Sequence, residues 1–346
     1  LALQQDFAGM AVIGTAGGLG TPFLLYVEVE GVSGLVVYTC IVLAGAMAIY
    51  LYRGWRSLLY TTVIGGWLVL LVPCLDAAFS GTPPSGAWVL QSGLVVALLL
   101  LGGVPLLRAV LRDRAPDRWS FLASPEAPFG GRPVYGLVPA SPFAALWASR
   151  LLWTGSDLLW ASVAGGGALL YGAIYLRLRQ ASLFRYALPH GLVAAVLATY
   201  GLSEVLGGTT LLLAWAVEAA LLLAVSRRLE DRLLRISGHV LFGIVAVWLG
   251  DRFASLEFDA LPLASPAALS ELAVLGIGLG ALRWVRGSFL RRLYQSVLIL
   301  GWFGWWTNEL VVLPHGLSYL LLLGAGSGLS LLWLGQWRGE ALYRYA

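Results

Sequence analysis

Apolar residues fill this chain in long runs, and most of the charged residues gather in short clusters between them. Twelve runs read as helices: Ala8–Val27, Gly34–Tyr52, Ser57–Leu75, Ala87–Leu107, Val138–Trp153, Leu158–Leu176, Ala187–Leu206, Thr209–Ser226, Ile236–Gly250, Ala267–Leu282, Leu293–Val312 and Leu317–Trp337. A membrane-crossing helix needs roughly 20 apolar residues, and most of the runs approach that length. Val138–Trp153 and Ile236–Gly250 are short. The pattern predicts an all-α, polytopic transmembrane helical bundle of about 12 spans.

The arginines test the count. Number the turns alternately from Leu1–Phe7 as cytoplasmic, and 20 of the 22 arginines fall in inner turns; Arg150 and Arg252 are the exceptions. Cytoplasmic turns carry such an excess of basic residues. Dropping the Val138–Trp153 span would invert every later turn and destroy the agreement. Both ends of the chain are then expected on the cytoplasmic side. The carboxylates lean the other way: Glu28, Glu30, Asp76, Asp157, Asp251, Glu257 and Asp259 fall in outer turns.

The hairpin from Thr209 to Trp248 organises the reading: an apolar helix, an arginine-rich turn and a second apolar helix. Similar basic turns follow Ile49, Ile174 and Leu282, so the bundle reads as repeated helical hairpins. The alternative is that any tight cytoplasmic turn converges on arginine with interfacial Tyr and Trp. One long polar connection, rich in Pro and Gly, separates a four-span part (1–107) from an eight-span part (142–346) through a cytoplasmic loop at 108–141.

Composition narrows the function. Hydrophobic residues make up 59% and charged residues 12% of the 346 residues. The mean hydropathy is +0.82. A soluble domain carries about twice that charged fraction. No basic run is interleaved with exposed aromatics, so the net charge of +4 does not point to nucleic acid. The absence of lysine among the basic residues reads as coding bias. Cys40 and Cys74 lie in apolar segments and read as buried thiols.

Few residues carry candidate chemistry. Glu218 lies at the midpoint of its run. A carboxylate at that depth is costly unless protonated or paired, which makes it the candidate intramembrane polar site, as proton carrier or cation ligand. The competing reading is a neutral acid that hydrogen-bonds two helices together. A candidate outer polar cluster comprises Arg150, Asp157, Glu204, Glu271, Asn308 and Glu309, with His315 nearby, and Arg150 is expected to pair with Asp157 or Glu204. Interfacial ion pairs worth little are the alternative. Trp302, Trp305 and Trp306 form an aromatic cluster suited to packing and anchoring or, less simply, to binding. His190, His239 and His315 lack metal-ligand spacing, so no metal, cofactor or catalytic set is expected.

Three stretches carry a resemblance: GTAGGLGTPFLLY (Gly14–Tyr26), YLYRGWRSL (Tyr50–Leu58) and LAWAVEAALLLAVSRRLEDRLLRISG (Leu213–Gly238). Over essentially its whole length the chain resembles the multi-spanning bacterial membrane proteins grouped as domain-of-unknown-function family 2339. The resemblance implies a bacterial cytoplasmic (inner) membrane protein. It brings no catalytic residues with it. Relatives carry further spans before the first stretch, so this chain is expected to be the later part of a longer one.

Three functions fit. The first is non-enzymatic translocation or handling of a lipid or lipid-linked envelope compound, which suits so apolar an interior. The second is a structural or assembly subunit of a larger membrane complex. The third is an envelope enzyme acting on a lipid-linked substrate, which requires Glu204, Glu271 or Glu309 to converge on one cavity. Membrane lipids and other membrane-protein subunits are the expected partners.

Overall fold

The computed structural model describes residues 8–24, 32–82, 84–114, 140–255, 263, 265–311, 313 and 316–338. The described residues form helices joined by short turns, with no strand among them. In chain order the helices are α1 (Ala8–Leu24), α2 (Val32–Arg53), α3 (Arg56–Ser80), α4 (Ala87–Leu98), α5 (Val104–Arg114), α6 (Ser141–Leu152) and α7 (Asp157–Gln180). They continue as α8 (Phe184–Val205), α9 (Gly208–Leu229), α10 (Arg232–Ser255), α11 (Pro266–Ala281), α12 (Ser288–Leu310) and α13 (Gly316–Arg338).

Where its residues are described, each apolar run of the sequence is helical. Among the described residues six are long and apolar enough to cross a membrane: α2, α3, the rod Ala87–Leu111, α7, α9 and α10. That rod joins α4 to α5 through a π-helical turn at Leu99–Gly103. Pro105 lies two residues beyond it, and its missing amide hydrogen and its ring both disturb the regular ladder there. The 12-residue α6 covers about 18 Å at 1.5 Å per residue, short of a hydrocarbon core of about 30 Å.

The chain packs as two compact units, Leu1–Leu197 and Ala198–Ala346. The core of the first is built by α1 to α4 and α6. Leu43, Leu58, Leu70, Leu90 and Leu94 have no exposure at all, and Ala148 of α6 is equally buried. Two indoles tie α6 into this core: Trp67 donates to Ser141 Oγ at 3.2 Å, and Trp153 to Gln91 Oε1 at 3.1 Å. Cys40 and Cys74 are free thiols, Cys74 fully buried.

One arginine of this unit makes a structural contact at a helix end. Arg108 is buried, and at the C-terminal end of α2 its guanidinium donates to the carbonyl oxygen of Leu51 and to that of Tyr50, which also accepts from the Gly54 amide. Cationic donors suit the carbonyl end of a helix. Gly54 closes α2 at φ +72°, and a side chain there would collide with the same guanidinium. Glycine meets both demands.

In the second unit α9 and α10 form the central hairpin. Leu212, Ala216, Ala219 and Leu223 are wholly buried at spacings of four, three and four, a seam along one face of α9. Gly238 of α10 lets the helices close: a side chain there would stand 3.0 Å from Leu223 and 3.2 Å from the Ala219 carbonyl. The turn itself is tight. Glu230 adopts a left-handed conformation, and Asp231 caps α10 by accepting from the amides of Leu233 at 2.9 Å and Leu234 at 3.2 Å.

Candidate functional site

Glu218 sits on a different face of α9 from the buried seam. It is half-buried, and its Oε1 accepts a hydrogen bond from Thr199 Oγ1 of α8 at 2.9 Å. Its Oε2 is buried and meets no hydrogen-bond partner. The carboxyl therefore links α8 to α9 through one bond. It lines none of the clefts described below.

The residues of the outer polar group fall in both units. Arg150 is an exposed residue of α6, and Asp157 opens α7 beside its cap, Ser156, which accepts from Leu159 N. A carboxylate suits that helix start. Glu204 is half-buried near the end of α8. Glu271, Asn308 and Glu309 are buried at one end of the second unit. There Glu271 Oε1 pairs with Arg252 Nε at 2.7 Å, Glu309 Oε2 accepts from the Leu263 amide at 2.6 Å, and Trp305 donates to the Ala268 carbonyl at 3.1 Å. Arg252 is the partner that sequence reasoning missed. Its position away from the arginine clusters, shared with Arg150, was the available signal. His315 lies outside the described residues. The bonds of Glu271, Glu309 and Trp305 each join two segments of the chain, and none of the clefts described below is lined by Glu204, Glu271 or Glu309.

The tryptophans pack on one another. Trp302 and Trp306 meet edge to face at 5.7 Å, and Trp305 and Trp306 at 4.8 Å. Among the described residues no three His, Cys, Asp or Glu side chains gather as a metal-ligand set.

In the second unit a cleft of about 610 Å³ lies between α10, α11 and α12. Its wall on α10 runs from His239 to Phe253, fifteen residues that rise about 21 Å along the helix. Apart from His239 and Tyr294 every lining residue is apolar or glycine. Those two form a polar end, with His239 Nδ1 2.8 Å from the Tyr294 hydroxyl. His239 Nε2 is buried and meets no partner. Arg235 stands four residues earlier on α10, toward the arginine-rich turns.

Glycines shape the cleft in two ways. Gly243 and Gly250 of α10 line it, and a Cβ at either would meet nothing within 4 Å. Gly278 and Gly301 instead receive neighbours. A side chain at Gly278 would stand 2.6 Å from Leu298, and one at Gly301 2.8 Å from Leu275. These two leucines interlock α11 with α12 and form a thin wall. On its far side lies a second cleft of about 580 Å³, also lined by Leu275 and Leu298 and reaching α13.

Across residues 1–346 the sequence matches one family model, described as "Predicted membrane protein (DUF2339)". The chain belongs to the DUF2339 family. Comparison with curated proteins and with solved structures returns no match. The DUF2339 chain is a membrane protein, all-helical among its described residues, and the two clefts beside α11 and α12 are lined almost wholly by apolar residues and glycine.

Proposed function

We propose that this DUF2339 protein holds the hydrocarbon chain of a lipid or lipid-linked envelope compound in the cleft between α10, α11 and α12. In this reading it handles or translocates that compound without covalent chemistry. The observation that carries it is the cleft: about 610 Å³, apolar along its length, with a polar histidine–tyrosine end. An engineered cavity of about 150 Å³ with an apolar lining already stays dry and binds benzene. A space about four times larger, at membrane depth, suits an acyl or prenyl chain. The His239–Tyr294 pair and Arg235 would then face its head group.

The same reading places the protein in the bacterial cytoplasmic membrane, crossing about twelve times with both ends inside. The arginine distribution supports that orientation. Both turns of the second unit that carry clustered arginines lie at one end, where Arg227 donates to the Arg283 carbonyl.

The test is native mass spectrometry of the full chain released from nanodiscs, with solvent extraction of retained lipid. Alongside it, a proteoliposome assay follows the reduction of a fluorescent lipid by an impermeant reductant. A retained lipid of defined stoichiometry and faster exposure of the label than in empty vesicles support the reading. A chain that carries no lipid, and instead copurifies with another membrane protein whose crosslinks map to the cleft, replaces it with the assembly-subunit function.

A further inference from the structure

We infer that the second unit carries a separate site for the phosphate of an anionic phospholipid, formed by Arg227, Arg228 and Arg283. The three arginines surround a pocket of about 560 Å³ between the end of α9 and the turn after α11, together with Trp284, Leu221 and Val225. Two of the guanidinium groups are held in place. Arg227 donates to the Arg283 carbonyl, and the Arg283 guanidinium stacks over Trp284 at 4.2 Å from the ring centre.

No carboxylate lines the pocket. The acidic residues of the neighbouring turn are placed elsewhere: Asp231 is buried and caps α10, and Glu230 is exposed. Three like charges around one concavity repel one another, and an anion between them removes the repulsion. Guanidinium forks match phosphate oxygens in geometry as well as charge.

The apolar side of the pocket identifies a lipid as the source of that phosphate. Val217, Leu221 and Val225 are exposed at intervals of four on α9 and lead up from Arg228 toward mid-helix. They offer a track for an acyl chain directly above the arginines. Trp284 lies at the level where aromatic side chains mark the membrane interface. Basic pockets between transmembrane helices at the basic end of a bundle take anionic head groups in this way. This site does not depend on the proposed cleft ligand.

The full chain in nanodiscs tests it. Nanodiscs of phosphatidylcholine with a minority of phosphatidylglycerol are disrupted gently, and native mass spectrometry counts which lipid stays bound. The expected result is enrichment of phosphatidylglycerol, reduced about fivefold for each arginine replaced. Arg228→Gln removes a charge without touching the Arg227–Arg283 contact, so its fold is preserved. The triple change of Arg227, Arg228 and Arg283 to Gln should abolish the enrichment. Changing Arg286, Arg291 and Arg292 to Gln alters net charge equally at the same end and should leave it. Equal loss in both triples, or no enrichment in the unaltered chain, overturns the inference in favour of diffuse surface charge. Calorimetric titration of the detergent-purified chain with inorganic phosphate separates the two sources. Binding as tight as that of short-chain phosphatidylglycerol overturns the lipid assignment.

Discussion

Filling the α10 cleft from its own wall is the sharpest test of the lipid reading. Gly243→Leu and Gly250→Leu each add a side chain where a Cβ would meet nothing within 4 Å. Removing one leucine from a packed core opens a cavity of about 150 Å³, so two added leucines take up roughly half of the cleft. The backbone favours the change. Glycine in a helix interior costs about 0.8–1 kcal/mol against leucine or alanine, measured in water. In lipid the added methyls gain little from burial, since hydrocarbon surrounds them either way. The double variant should therefore melt at the same temperature as the parent, or higher, in a detergent thermal-unfolding assay. Its retained lipid, counted by native mass spectrometry, should fall at the same time. Unchanged retention with unchanged stability refutes the assignment of the lipid to this cleft. A fall in melting temperature shows that the space over these glycines is filled by protein, which refutes the cleft itself.

Other outcomes follow from single contacts. Gly278→Ala and Gly301→Ala, on the interlocked α11–α12 face, should lower thermal stability by about 1–3 kcal/mol each because Leu298 and Leu275 must move, in contrast to Gly243 and Gly250. Glu218→Gln keeps an acceptor for the Thr199 hydroxyl and should leave stability and lipid retention unchanged, whereas Thr199→Ala should cost about 0.5–2 kcal/mol; a loss of lipid movement in the Gln variant alone would restore Glu218 as a proton carrier. Gly54→Ala should destabilise the first unit by more than 1 kcal/mol, roughly, through its left-handed backbone and the displaced Arg108 guanidinium, read as increased protease sensitivity at the α2–α3 turn. Asp231→Ala should cost about 1 kcal/mol by removing the α10 cap, measurable as a lower melting temperature.

Much of this molecule follows from hydropathy alone. The apolar runs and their arginine punctuation place the helices within a few residues, because in lipid every backbone group must be satisfied inside its own segment and a long apolar run has no other stable form. The central hairpin shows the same economy: a buried seam at helical spacing and an Arg-rich turn are both explicit in Leu212 to Arg235. The mid-helix position of Glu218 was equally readable, since it depends only on counting residues from the turn.

What remained was the choice of neighbours. Glu271 pairs with Arg252 nineteen residues back, and no local pattern distinguishes that partner from Arg150. Gly243 and Gly278 look alike in sequence, yet one borders open space and the other receives a leucine. Arg108 reads as one more topogenic charge, and it is packing against α2 that makes it a helix cap. The physical reason is common to all three. Membrane depth and helicity are properties of one segment in a uniform solvent, so sequence specifies them. Contacts between helices depend on rotation and register of apolar faces that lipid would cover equally well. Only the packed structure selects among those faces, and with them the clefts on which function rests.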